Sequence, residues 1–232
     1  MRSETGLRGG LPAAVLFDMD GLLVDSEPVW TIAEVELSAR LGAVFTPALK
    51  AAIVGTRLEV AVPTILRAYG APAGPEDVAR TSAWLLARMV ELFAAEALPL
   101  LPGAAELVTA LRRAGVPVAL VSSSYRVLVD AVLAHGVGPF DLTIAGDEVT
   151  HGKPHPEPYL LAARRFGVDP RDCVVLEDSP AGVTAGHAAG CAVVAVPSVA
   201  GVLVAPAARQ LVAGSLAEVD LAALSRLLLL AA

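Results

Sequence analysis

Short, almost unbroken apolar runs recur along the chain: AAVLF (13–17), VPVALV (116–121), LTIA (142–145), CVVL (173–176) and AVVAV (192–196), with a weaker one near Gln210 to Val212. Continuous rather than alternating apolar character predicts strands covered on both faces. Amphipathic stretches with helix-type ends lie between the runs. Ala104 to Ala114 sits between Pro102 and Gly115, with Leu107, Val108 and Leu111 on one face. Tyr125 to His135, Pro158 to Phe166 and Pro180 to Ala189 each stop before a glycine, and Val219 to Ala232 reads as a closing helix whose leucines face the core. Strands alternating with helices predict a doubly wound α/β fold around a parallel sheet.

One interval breaks that rhythm. From Ser26 to about Ala97 no strand pattern stands out, but helical stretches such as Val29 to Leu41 and Thr81 to Ala97 do. An all-helical insertion directly after the first strand follows, with Pro99 and Pro102 marking the return to the sheet. The expected organisation is a flexible tail over 1–12, an α/β core from 13–25 and 98–232, and a helical cap over 26–97.

Composition narrows the function. The chain has 232 residues, 55% of them apolar and only 4% aromatic, so its core must be packed with small aliphatic side chains. A formal charge of −7 argues against a nucleic-acid binder. It does not argue against a phosphate substrate, because one local cation can invert the field of a site. Cys173 and Cys191 each precede an apolar run and read as buried thiols. No stretch resembles a signal peptide or a membrane span, so a cytoplasmic protein without a membrane partner is expected.

In an open parallel sheet, ligands bind beyond the carboxyl ends of the strands. Asp18-Met19-Asp20-Gly21 follows the first run, Ser122-Ser123-Ser124 the second, and Glu177-Asp178-Ser179 ends the fourth; Lys153 lies in GKPHPEPY, after the third. Singly, each has a plain structural explanation: a turn former, a helix cap, a solvated lysine. Together they crowd Asp18, Asp20, Glu177 and Asp178 onto one rim, an unfavourable arrangement unless a cation neutralises it. An all-oxygen donor set suits Mg²⁺. Asp18 is placed to attack phosphorus and Asp20 to exchange a proton with the leaving oxygen and the incoming water. Lys153 and Ser122 would grip the phosphoryl group. His151 and His155 flank Lys153, but Pro154 and Pro156 forbid a helix there, so both read as solvated. His187 reads as structural, and Trp30 and Trp84 as cap core or cap–core contacts.

These motifs, in this order, resemble those of the haloacid dehalogenase superfamily, in the subgroup of sugar-phosphate phosphatases and beta-phosphoglucomutase. DGLLVDSEPVW, PLLPG, KPHPEPY and EDS carry the finer likeness. The resemblance implies Asp18 as nucleophile and metal ligand, Asp20 as acid/base with its backbone carbonyl on Mg²⁺, Asp178 as a metal ligand, and Glu177 in the first or second shell. It also implies that the helical cap closes over the site and that Arg57 holds the far part of a substrate from the cap. Ser123, Ser124 and Arg126 are further candidates for lining the pocket. A mutase would call for histidine at about the position of Trp30. The expectation is therefore a monomeric, Mg²⁺-dependent hydrolase of a small sugar or polyol phosphate, with phosphomutase and a phosphate-sensing module without turnover as alternatives.

Overall fold

A computed structural model of the chain describes residues 10–54, 56–95, 98–198 and 206–230. Six parallel strands, β1 (Ala14–Phe17), β2 (Val118–Val121), β3 (Leu142–Ile144), β4 (Cys173–Glu177), β5 (Ala192–Ala195) and β6 (Gln210–Val212), form one sheet in the order β3-β2-β1-β4-β5-β6. All of β1, β2, β4 and β5 is buried, which accounts for their unbroken apolar sequences. Side chains alternate across the sheet: Val15 and Phe17 enter one apolar layer, Ala14 and Leu16 the other. The chain leaves β1 for β2 on one side and reaches β4 on the other. The strand order therefore reverses at the β1–β4 pair, where a crevice opens at the carboxyl ends.

Between β1 and β2 run α1 (Glu27–Arg40), α2 (Pro47–Ile53), α3 (Leu58–Ala68), α4 (Pro75–Ala95) and α5 (Ala104–Arg113). The first four make up the helical insertion. The pattern outlines α1 and α4 but does not delimit α2 and α3, since α2 spans seven residues and α3 carries Pro63 inside it. Val29, Ala33 and Leu37 of α1 pack with Ile65 of α3 and Leu85 and Met89 of α4. The two passages between insertion and sheet run side by side, held by Asp25 N–H to the Pro99 carbonyl (3.1 Å) and Leu101 N–H to the Leu23 carbonyl (2.9 Å).

The remaining helices are α6 (Arg126–Ala134), α7 (Glu157–Phe166), α8 (Pro180–Ala188) and α9 (Leu221–Leu229). Tyr159, Ala162 and Ala163 of α7 and Val183 and Ala185 of α8 cover one sheet face, while α5, α6 and α9 cover the other. The closing helix departs from expectation: Leu224 and Leu227 are buried, but Leu229 is 71% exposed and Leu230 54%. A single helix can turn only one stripe inward, and four consecutive leucines span more than that stripe. Both cysteines are buried free thiols. No helix among the described residues is long and apolar enough to cross a membrane. Of the expected N-terminal tail, 1–9 lies outside the described residues.

Candidate active site

Asp18 follows β1, and its backbone N–H donates to the Leu176 carbonyl of β4 (3.0 Å), which fixes it beside Glu177 and Asp178. Lys153 reaches this point from the loop before α7. Its ammonium donates to Asp18 Oδ1 (2.5 Å), Glu177 Oε1 (2.6 Å) and the Val121 carbonyl (2.9 Å), so one cation ties together the ends of β1, β2 and β4. Burial opposes the charge on Lys153, but the two carboxylates outweigh it and hold the ammonium above its usual range.

Ligand atoms of Asp18, Glu177 and Asp178 all lie within 4.8 Å of one another. With every group ionised, three carboxylates share a single ammonium. Burial raises the Asp18 carboxyl well above the usual range, against the pull of Lys153 and with the help of Glu177, Asp178 and Asp20. Burial and then Glu177 push Asp178 up to about 7. Carboxyls held this far from their normal ionisation mark a place where positive charge is wanted. The donors are all oxygens, as a hard divalent cation requires. Gly21 keeps the space beside them open. It has φ +79°, and a Cβ there would come within 2.3 Å of Asp178 Oδ2.

Glu177 is fully buried and densely bonded. Oε1 accepts from Lys153 and Tyr159 Oη (2.7 Å), and Oε2 accepts from the Asp178 and Ser179 backbone N–H groups and the Ser179 hydroxyl. Both oxygens thus already have protein partners, although Glu177 lies within the acidic group. Asp18 differs: Lys153 takes Oδ1, and no described residue donates to Oδ2. Asp20 is held by hydroxyls, with Ser26 on Oδ1 (2.6 Å) and Ser124 (2.7 Å) and Ser122 (3.4 Å) on Oδ2.

These residues floor a chamber of about 210 Å³ that is roofed by the helical insertion. Asp18, Asp20, Ser123, Ser124, Lys153 and Asp178 line it from below, and Trp30, Glu34, Arg57 and Leu85 from above. Arg57 Nη2 donates to the Gly146 carbonyl (2.8 Å) and Tyr125 Oη to Glu59 (2.6 Å), fastening the roof to the sheet layer. Ser122 is buried just beneath the surface and accepts from the Ser124 N–H (2.9 Å).

Arg126 requires a correction. Its guanidinium forms a two-pronged pair with Glu148 and also reaches Asp130 and Thr143, on the outside of α6 and away from the chamber. His151 and His155 are exposed, yet the loop itself folds their rings to 4.6 Å, without any helix. His187 meets Gln210 from α8, and Trp84 lies under the Arg40 guanidinium.

The family model of haloacid dehalogenase-like hydrolases matches residues 12–190. The chain belongs to this family. Hexitol phosphatase B of Escherichia coli K12 is 35% identical over 219 residues, covering 92% of this chain and 93% of that protein. Hexitol phosphatase A of the same organism is 36% identical over 184 residues, covering 78% and 81%. CbbY from Rhodobacter sphaeroides, solved in complex with xylulose 1,5-bisphosphate, superposes with a TM-score of 0.82 at 29% identity, over 92% of this chain and 99% of that one. Beta-phosphoglucomutase from Clostridium difficile shares the fold, with a TM-score of 0.79 at 21% identity, over 94% and 97%.

For a hydrolase of this family, four contributors were given no role by the motif reading. They are Ser26 on Asp20, Tyr159 and Ser179 on Glu177, and Ser198 on Asp178 Oδ2 (2.5 Å). Tyr159 and Ser179 lie inside the quoted motifs KPHPEPY and EDS, Ser198 lies outside every quoted motif, and the most informative of the four is Ser26, within DGLLVDSEPVW. It stands at the N-cap of α1, yet its hydroxyl makes no capping bond.

Proposed function

We propose that the chain is a Mg²⁺-dependent phosphatase that hydrolyses a small sugar or polyol phosphate through an aspartyl phosphate on Asp18. The observation that carries this reading is Asp18 itself: it faces the chamber, one oxygen fixed by Lys153 and the other without a partner among the described residues. The kinship with two hexitol phosphatases over most of the chain supports the substrate class.

Asp18 and Asp178, with the Asp20 carbonyl, would hold the ion, and Glu177 would position Lys153. When bound, Mg²⁺ offsets the charge repulsion between the substrate phosphate and the carboxylates. Asp18 Oδ2 attacks phosphorus, forming an Asp–O–P bond as the ester P–O bond breaks. Asp20 gives a proton to the departing alkoxide. It then accepts one from the water that attacks the phosphoaspartate, releasing inorganic phosphate and restoring Asp18. Lys153, whose three protons go to Asp18, Glu177 and the Val121 carbonyl, supplies positive charge beside the phosphoryl oxygens, the Ser122 hydroxyl would hold one of them, and Ser26 and Ser124 keep Asp20 aimed.

Hydrolysis is favoured over a phosphomutase because Trp30 stands in the chamber roof, and no described residue lining the chamber is a histidine. The test is phosphate release from a panel of sugar and polyol phosphates, with Mg²⁺ and after chelation. Turnover is expected only with the ion and only with Asp18 intact. Release at the parent rate by Asp18→Asn, or interconversion of phosphate isomers without release, would contradict the proposal.

A further inference from the structure

The roof of the chamber holds a charged group that neither the proposed chemistry nor the packing of the insertion accounts for. Along α1, Glu27, Trp30 and Glu34 follow at i, i+3 and i+7, on one face of the helix, and all three line the chamber. Lys50 of α2 lies 2.8 Å from both Glu27 Oε2 and Glu34 Oε2. Glu34 is only 6% exposed, and the neighbouring positions Val29, Ala33 and Leu37 are apolar core.

A pair buried in such a layer is commonly no more stable than apolar side chains of similar size, because desolvation cancels much of the attraction. Packing therefore gives no reason for Glu34 and Lys50 to be charged. Glu34 Oε2 accepts a hydrogen bond from the Lys50 ammonium, Glu27 Oε2 lies in ion-pair distance of it but accepts no hydrogen bond among the described residues, and no described residue donates to Oε1 of either. Ionised carboxylates accept hydrogen bonds and cannot donate them, so the matching ligand group is a hydroxyl. An anionic group would be repelled. Of the charged roof residues that line the chamber, Glu27 and Glu34 are acidic and Arg57 basic, with Lys50 paired to the two carboxylates from behind. Burial, which raises the Glu34 carboxyl, also strengthens any hydrogen bond made to it.

Resting on the phosphatase reading above, we propose that the Glu34–Lys50 pair, assisted by Glu27, reads the hydroxyls of the substrate's far end. The chamber thereby selects phosphate monoesters with a neutral polyhydroxyl tail over esters whose far end is anionic. The phosphate lies on the floor with Asp18 and Lys153, the carbon chain passes Trp30, and the last hydroxyls donate to the glutamates.

The test uses the Asp18→Asn protein, which retains the chamber but cannot form the phosphoaspartate. Calorimetric titration with Mg²⁺ present compares a hexitol 6-phosphate, phosphoglycolate and xylulose 1,5-bisphosphate. The hexitol ester is expected to bind about tenfold or more tighter than phosphoglycolate, the effect of one charge-assisted hydrogen bond. It should also bind tighter than the bisphosphate. Adding Glu34→Leu with Lys50→Met, which replaces the pair by apolar side chains, should abolish the preference while leaving the melting temperature within a few degrees. Should that double replacement unfold the protein, the isosteric Glu34→Gln is titrated instead, with the preference again expected to fall about tenfold. A preference unchanged by these substitutions, or tighter binding of either anionic-tailed ester by the starting protein, would overturn the assignment. Phosphate release by the Asp18 protein is followed separately. Absence of release alongside intact hexitol preference would remove the hydrolase reading and leave the hydroxyl-reading site standing.

Discussion

Lys153 has two buried carboxylates as its closest partners, so its removal strands both. Breaking a buried pair from one side typically costs about 3–5 kcal/mol. Lys153→Ala should therefore lower the unfolding free energy by that order in urea titrations without Mg²⁺, with much of the loss recovered when the ion is added. Asp178 gives the corresponding pH dependence. Its carboxyl is pushed up to about 7 in the folded chain, mainly because it is buried, whereas in the unfolded chain it ionises in the ordinary aspartate range near 3.8. As pH rises through that window the unfolded state ionises first, so the ion-free fold loses stability. A bound cation reverses the penalty. Thermal unfolding should show a larger Mg²⁺-induced rise in melting temperature at pH 8 than at pH 6, and an equal rise at both would contradict this picture. Asp20→Asn should reduce kcat by about 10²–10⁴, the usual worth of a positioned acid/base, with little change in melting temperature. At this scale the sequence was most informative where chemistry follows directly on a strand: Asp18, Asp20, Ser122, Glu177 and Asp178 could be read from the ends of apolar runs. Arg126 could not be placed, because its partner Glu148 lies 22 positions away in the chain and nothing in the local pattern announces it.

Between β4 and α8 the decisive feature is a missing side chain. A Cβ on Gly182 would lie 1.7 Å from Glu177 Oε1, so α8 can close on the end of β4 only with glycine there. Gly182→Ala must push Glu177 aside, at a cost of about 1–3 kcal/mol by analogy with overpacked cores, and loosen Lys153 at the same time. Urea unfolding together with phosphate-release assays should show both losses. Gly74→Ala, where the nearest atom is an Asp77 carboxylate oxygen at 3.5 Å, should stay within about 0.5 kcal/mol. The strands and most helices were legible because burial on both sheet faces imposes unbroken apolar runs, and glycines or prolines bound the helices. α2 and α3 were less so, being short or interrupted by Pro63. The Glu34–Lys50 pair was invisible for a different reason: on an amphipathic helix a lone glutamate reads as solvent-facing, and its pairing with Lys50 of α2 is a tertiary contact that the local pattern does not announce.

Across the whole molecule, two layers meet at the chamber. The reversal of strand order at β1 and β4 creates the crevice, and the insertion that leaves after β1 folds back over it. Arg57 to Gly146, Tyr125 to Glu59 and His135 Nε2 to the Phe93 carbonyl (2.5 Å) hold the roof down. An enclosed site of this kind excludes bulk water from the phosphoaspartate until Asp20 is set to use one molecule of it. The order of motifs made the reversal point readable, but not the contacts across the roof, which join residues 42 to 89 positions apart. During turnover Asp18 is expected to carry the phosphoryl group. Rapid acid quench during steady-state hydrolysis, followed by borohydride reduction and peptide mass spectrometry, tests it directly. The predicted result is reduction of Asp18 alone, dependent on both substrate and Mg²⁺. Modification at a different residue, or none while phosphate is being released, would contradict it.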